Sequence, residues 1–215
     1  MKLYVYDHCP FCVRARMIMG LKNIPVETIF LPNDDEDTPI SMIGKKMLPI
    51  LETDDNKYIG ESLDIVTYID KNFGTQVMTL PEQSDVDAWI EQAGQTIFKL
   101  AIPRWSYSVY PEFEHGSSRQ YFSEKKESVF GGFTALMKST PELLEVINTK
   151  LIELDALLAK SEVEEGQWSM TDIRLYPVIR SLSIVKGVVW PAGVDIWRKK
   201  MATACDVAQE DDVAF

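Results

Sequence analysis

Apolar and polar residues along the first 72 positions alternate between two periods. Lys2-Leu3-Tyr4-Val5-Tyr6 reads as a short strand, and residues 10–22 carry apolar side chains at helical spacing up to Asn23-Ile24-Pro25. Val26-Glu27-Thr28-Ile29-Phe30-Leu31 has strand period and β-branched content. After an acidic turn at 32–37, Thr38 is expected to cap a short helix begun by Pro39 and ending near Gly44. Residues 49–52 and 57–59 read as two further strands around an Asp54-Asp55-Asn56 turn. Ser62 then opens a helix that places Leu63, Ile65, Val66 and Ile69 on one face. The predicted order is βαβαββα.

From Phe73-Gly74-Thr75-Gln76 to Leu80-Pro81-Glu82-Gln83-Ser84 no period is sustained, and turn formers dominate. The expected organisation is therefore a 1–72 α/β domain, a linker over 73–84, and a helical domain over 85–215. The spacing predicts helices at 85–102, 118–138, 141–160, 169–187 and 191–205, with Pro103 and Pro177 as points of bending or interruption. Ser169-Met170-Thr171-Asp172 has the form of a capping box, with Asp in place of Glu. Gln209-Glu210-Asp211-Asp212 reads as a loosely ordered polar tail.

Composition narrows the function. The 215 residues are 46 % hydrophobic, ordinary for a folded protein, and carry a formal net charge of −11. Both parts of the chain are acidic, which argues against a nucleic-acid partner, because phosphate binding needs a basic face. No apolar run reaches membrane-spanning length, and Met1 leads straight into a strand without a secretory leader. Three cysteines in a chain of this size do not make a disulfide framework. The expected setting is the reducing cytoplasm, with no membrane association.

The cysteines themselves carry the chemistry. Asp7-His8-Cys9-Pro10-Phe11-Cys12 joins the first strand to the first helix. Proline suits the first helical turn, which puts Cys9 at the cap position, its sulfur toward amide groups that have no helical partner. Those amides and the helix dipole favour a thiolate. Cys12 lies one turn on, within reach of Cys9, and a Cys-x-x-Cys in a βαβ setting reads as thioredoxin-like. Zinc usually needs four ligands, and beyond the pair only Cys205, His8 and His115 are on offer, so no metal is expected. Cys205 reads as a core residue and His115 as loop surface. His8 either tunes Cys9 or is a plain loop histidine. Arg14 and Arg16 read as a solvated helix face, and the tryptophans as core.

Cys-Pro-Phe-Cys resembles the active site of the glutaredoxins, although many members have Tyr where this chain has Phe11. Leu48-Pro49-Ile50 is similar to that family's cis-proline loop, and Gly60-Glu61-Ser62 to its turn into the last helix of the domain. The resemblance implies glutathione as co-substrate. Its cysteinyl unit would pair with the backbone of Leu48 before Pro49. Its γ-glutamyl end would be held by Ser62, with Glu61 at the ammonium group, and Cys9, Pro10 and Phe11 would complete the site.

The helical second half with its Ser-x-x-Asp cap resembles glutathione transferases. The whole is similar to two-domain bacterial glutaredoxins, notably over Met1–Pro10, Ala15–Glu27 and Ile184–Pro191, and least so from about Cys205. The fold implied is a thioredoxin-like domain with a mixed four-stranded sheet, followed by an all-α domain. The activity implied is glutathione-dependent reduction of mixed and protein disulfides, with Cys9 as nucleophile and Cys12 as resolving thiol. A monomer that acts on glutathionylated or disulfide-containing proteins is expected. Two alternatives stay open: a glutathione transferase acting on small electrophiles, and an iron–sulfur carrier or interaction module.

Overall fold

The computed structural model describes residues 1–161 and 164–215. Its first half runs β1 (Lys2–Val5), α1 (Pro10–Leu21), β2 (Glu27–Phe30), α2 (Asp37–Ile43), β3 (Ile50–Glu52), β4 (Tyr58–Ile59) and α3 (Ser62–Asn72). The sheet order is β2-β1-β3-β4. β1 runs parallel to β2, with Leu3 opposite Thr28, and antiparallel to β3, with Leu3 opposite Leu51. β3 and β4 are antiparallel. A parallel pair needs a crossover, and α1 provides it. The second half is helical: α4 (Ser84–Tyr107), α5 (Gly116–Phe130), α6 (Phe133–Lys138), α7 (Thr140–Leu158), α8 (Met170–Ser183) and α9 (Ala192–Cys205), with 3₁₀ turns at Pro111–Phe113 and Asp211–Val213. Among the described residues no helix is long and apolar enough to cross a membrane.

Helix α1 is the shared element. Its buried residues, Pro10, Cys12, Val13, Ala15, Met17, Ile18 and Met19, fall all round the helix and not on a single stripe. The cause is double coverage, with α3 on one side and α8 and α9 on the other. One continuous core therefore includes Leu3, Met17, Ile50 and Ile69 together with Ile173, Tyr176, Met201 and Cys205 from the helical half. A second core, around Trp89, Ile97, Leu151 and Ile179, belongs to the helical half alone. The contact between α1 and α9 is backbone-close: a Cβ on Gly20 would lie 1.8 Å from the carbonyl oxygen of Cys205.

Several local expectations need correction. Thr38 does not cap α2; the Asp35 carboxylate accepts from the Thr38 N–H at 3.0 Å, and the helix starts at Asp37. The helix expected over 118–138 is two, α5 and α6, because Gly131 takes φ +95°. α4 continues through Pro103 to Tyr107, its last turns buried and Arg104 Nη1 donating to the Leu100 carbonyl at 2.7 Å. Burial outweighs the lost proline hydrogen bond there. α8 stops at Ser183, four residues early. The 77–80 stretch is pinned: Trp168 N–H donates to the Val77 carbonyl at 2.8 Å, and Leu80 N–H to the Trp168 carbonyl at 3.1 Å. The Ser169 capping box forms as read, each group accepting from the other's backbone N–H.

The tail is the largest correction. Glu210 is buried, its N–H donating to Ser183 Oγ at 2.7 Å. Asp211 pairs with Arg198 at 2.6 Å, and the Phe215 carbonyl accepts from Arg104 Nε at 2.7 Å. Guanidinium groups buried in the helical half need acceptors, and the acidic tail supplies them.

Gly20→Ala is expected to lower unfolding stability by about 3 kcal/mol, since backbone on both sides must move to admit the methyl group. The measurement is the urea midpoint at constant m. An unchanged midpoint would contradict the close α1–α9 contact.

Candidate active site

The loop after β1 is built to deliver one sulfur. The strand ends at Val5 because the next amide, Tyr6 N–H, donates to Cys12 Sγ at 3.3 Å instead of to a strand. Asp7 is then tied down three ways: Arg16 Nη1 reaches its carboxylate at 2.6 Å, Arg180 Nη2 reaches it at 3.2 Å, and Arg180 Nη1 donates to the Asp7 carbonyl at 3.0 Å. Burial pushes the Asp7 carboxyl up, but Arg180 and Arg16 outweigh it and hold the group below its ordinary range. Arg16 is thus a partner of the loop and not part of a solvated face. Arg14, also half-buried, lies over the Phe11 ring at 4.8 Å.

Cys9 is the N-cap of α1 and Pro10 stands in its first turn. Cys9 is half-buried and Cys12 fully buried; both are free thiols. The Cys9 thiol is drawn down to about 6, first by the Cys12 thiol beside it, against the opposing effect of burial, then by the charge of His8 and the amides of Cys12 and Phe11. The amides act without a formed cap hydrogen bond. Cys12 goes the other way: burial pushes its thiol well above the ordinary value, and the neighbouring Cys9 adds to this. One sulfur is thus prepared as an anion and the other kept as a thiol. Cys205 is buried at the end of α9, pushed up to about 12 by its apolar surroundings.

A cleft of about 570 Å³ opens at Cys9 between the two halves. Tyr6, Cys9, Asn33, Lys46, Met47 and Leu48 form one wall, while Tyr121, Phe122, Lys125, Lys126, Val129 and Phe130 of α5 form the other. The Leu48–Pro49 peptide is cis, and Leu48 and Cys9 share this cleft. Glu61 and Ser62 do not line it. They sit at the start of α3, Glu61 at φ +59° and its carboxylate 2.9 Å from Lys45 Nζ, with Ser62 buried. The Gly60 that precedes them lies against Met47: a Cβ there would lie 3.0 Å from Met47 Cε. The 60–62 turn and the 47–49 loop therefore abut. Phe11 is half-exposed and outside the cleft. A larger groove of about 880 Å³ runs past Cys205, between α1, β2 and the end of α9, and holds neither Cys9 nor Cys12.

The α5 wall carried no sequence signal beyond the Lys125-Lys126 pair, which reads as an ordinary solvated face. His8 proves to be no plain loop histidine. It is buried, 2.5 Å from Glu112 through Nδ1, and Glu112 in its short turn had no motif to mark it. His115 is exposed. Among the described residues, no group of three or more His, Cys, Asp or Glu side chains is arranged to hold a metal ion.

Comparison with known proteins decides the family. Residues 85–214 match the family described as glutaredoxin 2, C-terminal domain, and residues 3–77 match the glutathione S-transferase N-terminal domain. Glutaredoxin 2 of Escherichia coli K12 is 43 % identical over 202 residues, 94 % of each chain. This chain belongs to the glutaredoxin 2 family. The crystal structure of glutaredoxin 2 from Salmonella typhimurium in complex with glutathione superposes with a TM-score of 0.95 at 42 % identity, covering 100 % of this chain and 98 % of that one. Glutathione transferase Omega 3C from Trametes versicolor, at 16 % identity and a TM-score of 0.57 over 97 % of this chain and 84 % of its own, shares the fold. This chain therefore has a transferase-like N-terminal domain and a helical C-terminal domain.

The electrostatics predict a pH profile. Reduced protein treated with iodoacetamide should lose Cys9 with a midpoint near pH 6, because thiolate disappears as pH falls through the lowered value. Cys12 and Cys205 should stay unmodified at pH 7, where burial keeps both protonated. Peptide mass spectrometry reads all three. A Cys9 midpoint near the free-thiol value of about 8.5 would contradict the site.

Proposed function

We propose that Cys9 is the nucleophile of a glutathione-dependent thiol–disulfide oxidoreductase and Cys12 its resolving thiol. The observation that carries this is the divided pair: a sulfur of lowered pKa at the tip of α1, open to a cleft, with a protonated thiol one turn behind it. The Cys9 thiolate attacks the glutathione sulfur of a mixed disulfide, forming a new S–S bond and releasing the substrate as a thiolate that takes up a proton. Glutathione thiolate then attacks that bond, which yields oxidised glutathione and restores the Cys9 thiolate. With a protein disulfide, Cys12 loses its proton and attacks the Cys9 sulfur, expelling the second substrate thiolate. Two glutathione molecules reduce the resulting Cys9–Cys12 disulfide, and a separate reductase recovers the oxidised glutathione. A lowered pKa also makes Cys9 a good leaving group, which suits a residue passing repeatedly through mixed disulfides.

The reading for glutathione follows the abutting loops. Leu48, before cis-Pro49, offers its backbone to the cysteinyl unit, and Ser62 with the first amides of α3 receives the γ-glutamyl carboxylate. Glu61 meets the ammonium group, and Cys9, Pro10 and Phe11 complete the surround. The solved relative in complex with glutathione supports glutathione as the ligand. In the proposed division of labour, residues 1–72 hold the chemistry, 73–84 link, and 85–215 present protein substrates from the α5 wall, in a monomer working in a reducing cytoplasm.

Cys9→Ser should abolish all turnover in glutathione-coupled reduction. Cys12→Ser should keep removal of glutathione from a glutathionylated protein within about threefold, and lose at least about tenfold on a protein disulfide. Both are read against hydroxyethyl disulfide and a defined protein disulfide. Equal losses in the two variants on all substrates would overturn the assignment of roles. Conjugation of chloro-dinitrobenzene faster than disulfide reduction would favour the transferase reading instead.

A further inference from the structure

Glu112 is fully buried in the short turn between α4 and α5, and its Oε1 takes two bonds from one residue of the other half. His8 N–H donates at 3.1 Å and His8 Nδ1 lies at 2.5 Å. Its Oε2 is buried with no hydrogen-bond partner among the described residues. Around the imidazole stand Trp105 and Phe122 at 5.1 Å, Phe113 stacked at 5.2 Å and Tyr110 at 5.8 Å, centroid to centroid. A carboxylate on one ring nitrogen, with Phe113 stacked on the imidazole and three more aromatic rings at tilted or edge angles within about 6 Å, makes a desolvated setting that suits a cation paired with that carboxylate.

We propose that Glu112 is a positioning residue for the nucleophile: it holds His8 as an imidazolium inside this aromatic cage, directly before Cys9, so that the helical half sets how reactive the redox sulfur is. The proposal deepens the oxidoreductase reading and rests on it.

The surrounding charges agree. Facing His8 are Cys9 and Cys12 on α1, Tyr6 at the end of β1, Asp7 in its own loop, Tyr110 and Glu112 from the α4–α5 connection, Lys126 beyond the Phe122 ring, and Glu210 with Arg180 from the tail and α8. Asp7, Glu112 and Glu210 are three carboxylates, and the guanidiniums within reach, Arg16 and Arg180, are spent on Asp7 and Glu210. Burial pushes the Glu112 carboxyl up, yet its bonds to His8 outweigh this and leave the group below its ordinary range. A buried anion of this kind is stable only against a cation, and His8 is the group it touches. The same two charges add to the separation that burial sets between the thiols: a charge on His8 favours the Cys9 anion, while the Glu112 charge disfavours one on Cys12.

The test is the pH dependence of Cys9 alkylation by iodoacetamide in the full chain, which needs no glutathione and so fails or succeeds independently of turnover. Glu112→Gln and His8→Gln should each move the midpoint up by about one pH unit, cutting the rate at pH 5.5 roughly fivefold to tenfold with less than a twofold change at pH 9. The double variant should shift no further than either single one. An unmoved midpoint in either folded variant, or fully additive shifts, would overturn the proposal. Should the variants not fold, nitrogen NMR of His8 in the unaltered protein decides: two protonated ring nitrogens at pH 7 support it, and one protonated nitrogen overturns it.

Discussion

Everything at this site depends on the hold that Arg180 has on the loop between β1 and α1. One guanidinium from α8 grips the carbonyl and the carboxylate of Asp7 while also meeting Glu210 at 3.1 Å. Tyr110 supplies a further donor to Glu210 at 2.7 Å, so the chain's end, α8, the α4–α5 connection and the redox loop meet in one buried network. Buried ion pairs are weak sources of net stability, because desolvation consumes most of their attraction. Their value here is positional. The irregular stretch 6–9 would otherwise leave the cap of α1 free to move, and the direction of the Cys9 sulfur with it.

This dependence explains why α1 is buried on two sides. In a single α/β domain, such a helix would show one face to the sheet and one to water. Here Met17, Ile18 and Met19 are all sequestered, and Gly20 has no side chain because the backbone of Cys205 occupies the space. The helical half thus acts on the chemistry by three routes: packing along α1, ionic grip on Asp7, and a carboxylate under His8. Of the helical half, α5 lines the cleft opposite Cys9.

How much of this was legible in the sequence follows from range. Features decided within a few residues could be read: Cys9 at a cap, Pro10 in the first turn, the capping box at Ser169, and the βαβαββα order. Features decided by partners on other elements, from 13 to 104 residues away, could not. Glu112 lies in a turn whose local signals are a proline and an aromatic, and nothing within it announces a histidine at position 8. Glu210 and Asp211 read as solvent-loving because their partners, Arg180 and Arg198, sit on separate helices. Gly131-Gly132 did carry a local signal, and the continuous apolar spacing on either side masked it.

The pair itself is where local and distant effects combine. The amides of Phe11 and Cys12 and the Cys12 thiol already favour an anion at Cys9, and all of them come from residues 9–12. Those local effects alone leave Cys12 a near-equal competitor, since it shares the helix end and the dipole. What separates the two is depth. Cys12 faces the core, with the Tyr6 amide at 3.3 Å as a hydrogen-bond donor too weak to offset burial. In the proposed reaction its proton leaves only when attack on a mixed disulfide at Cys9 draws it away, by which time Cys9 no longer carries charge. The order of events in the proposed reduction therefore follows from burial, and the core that holds Cys12 draws its residues from both halves of the chain.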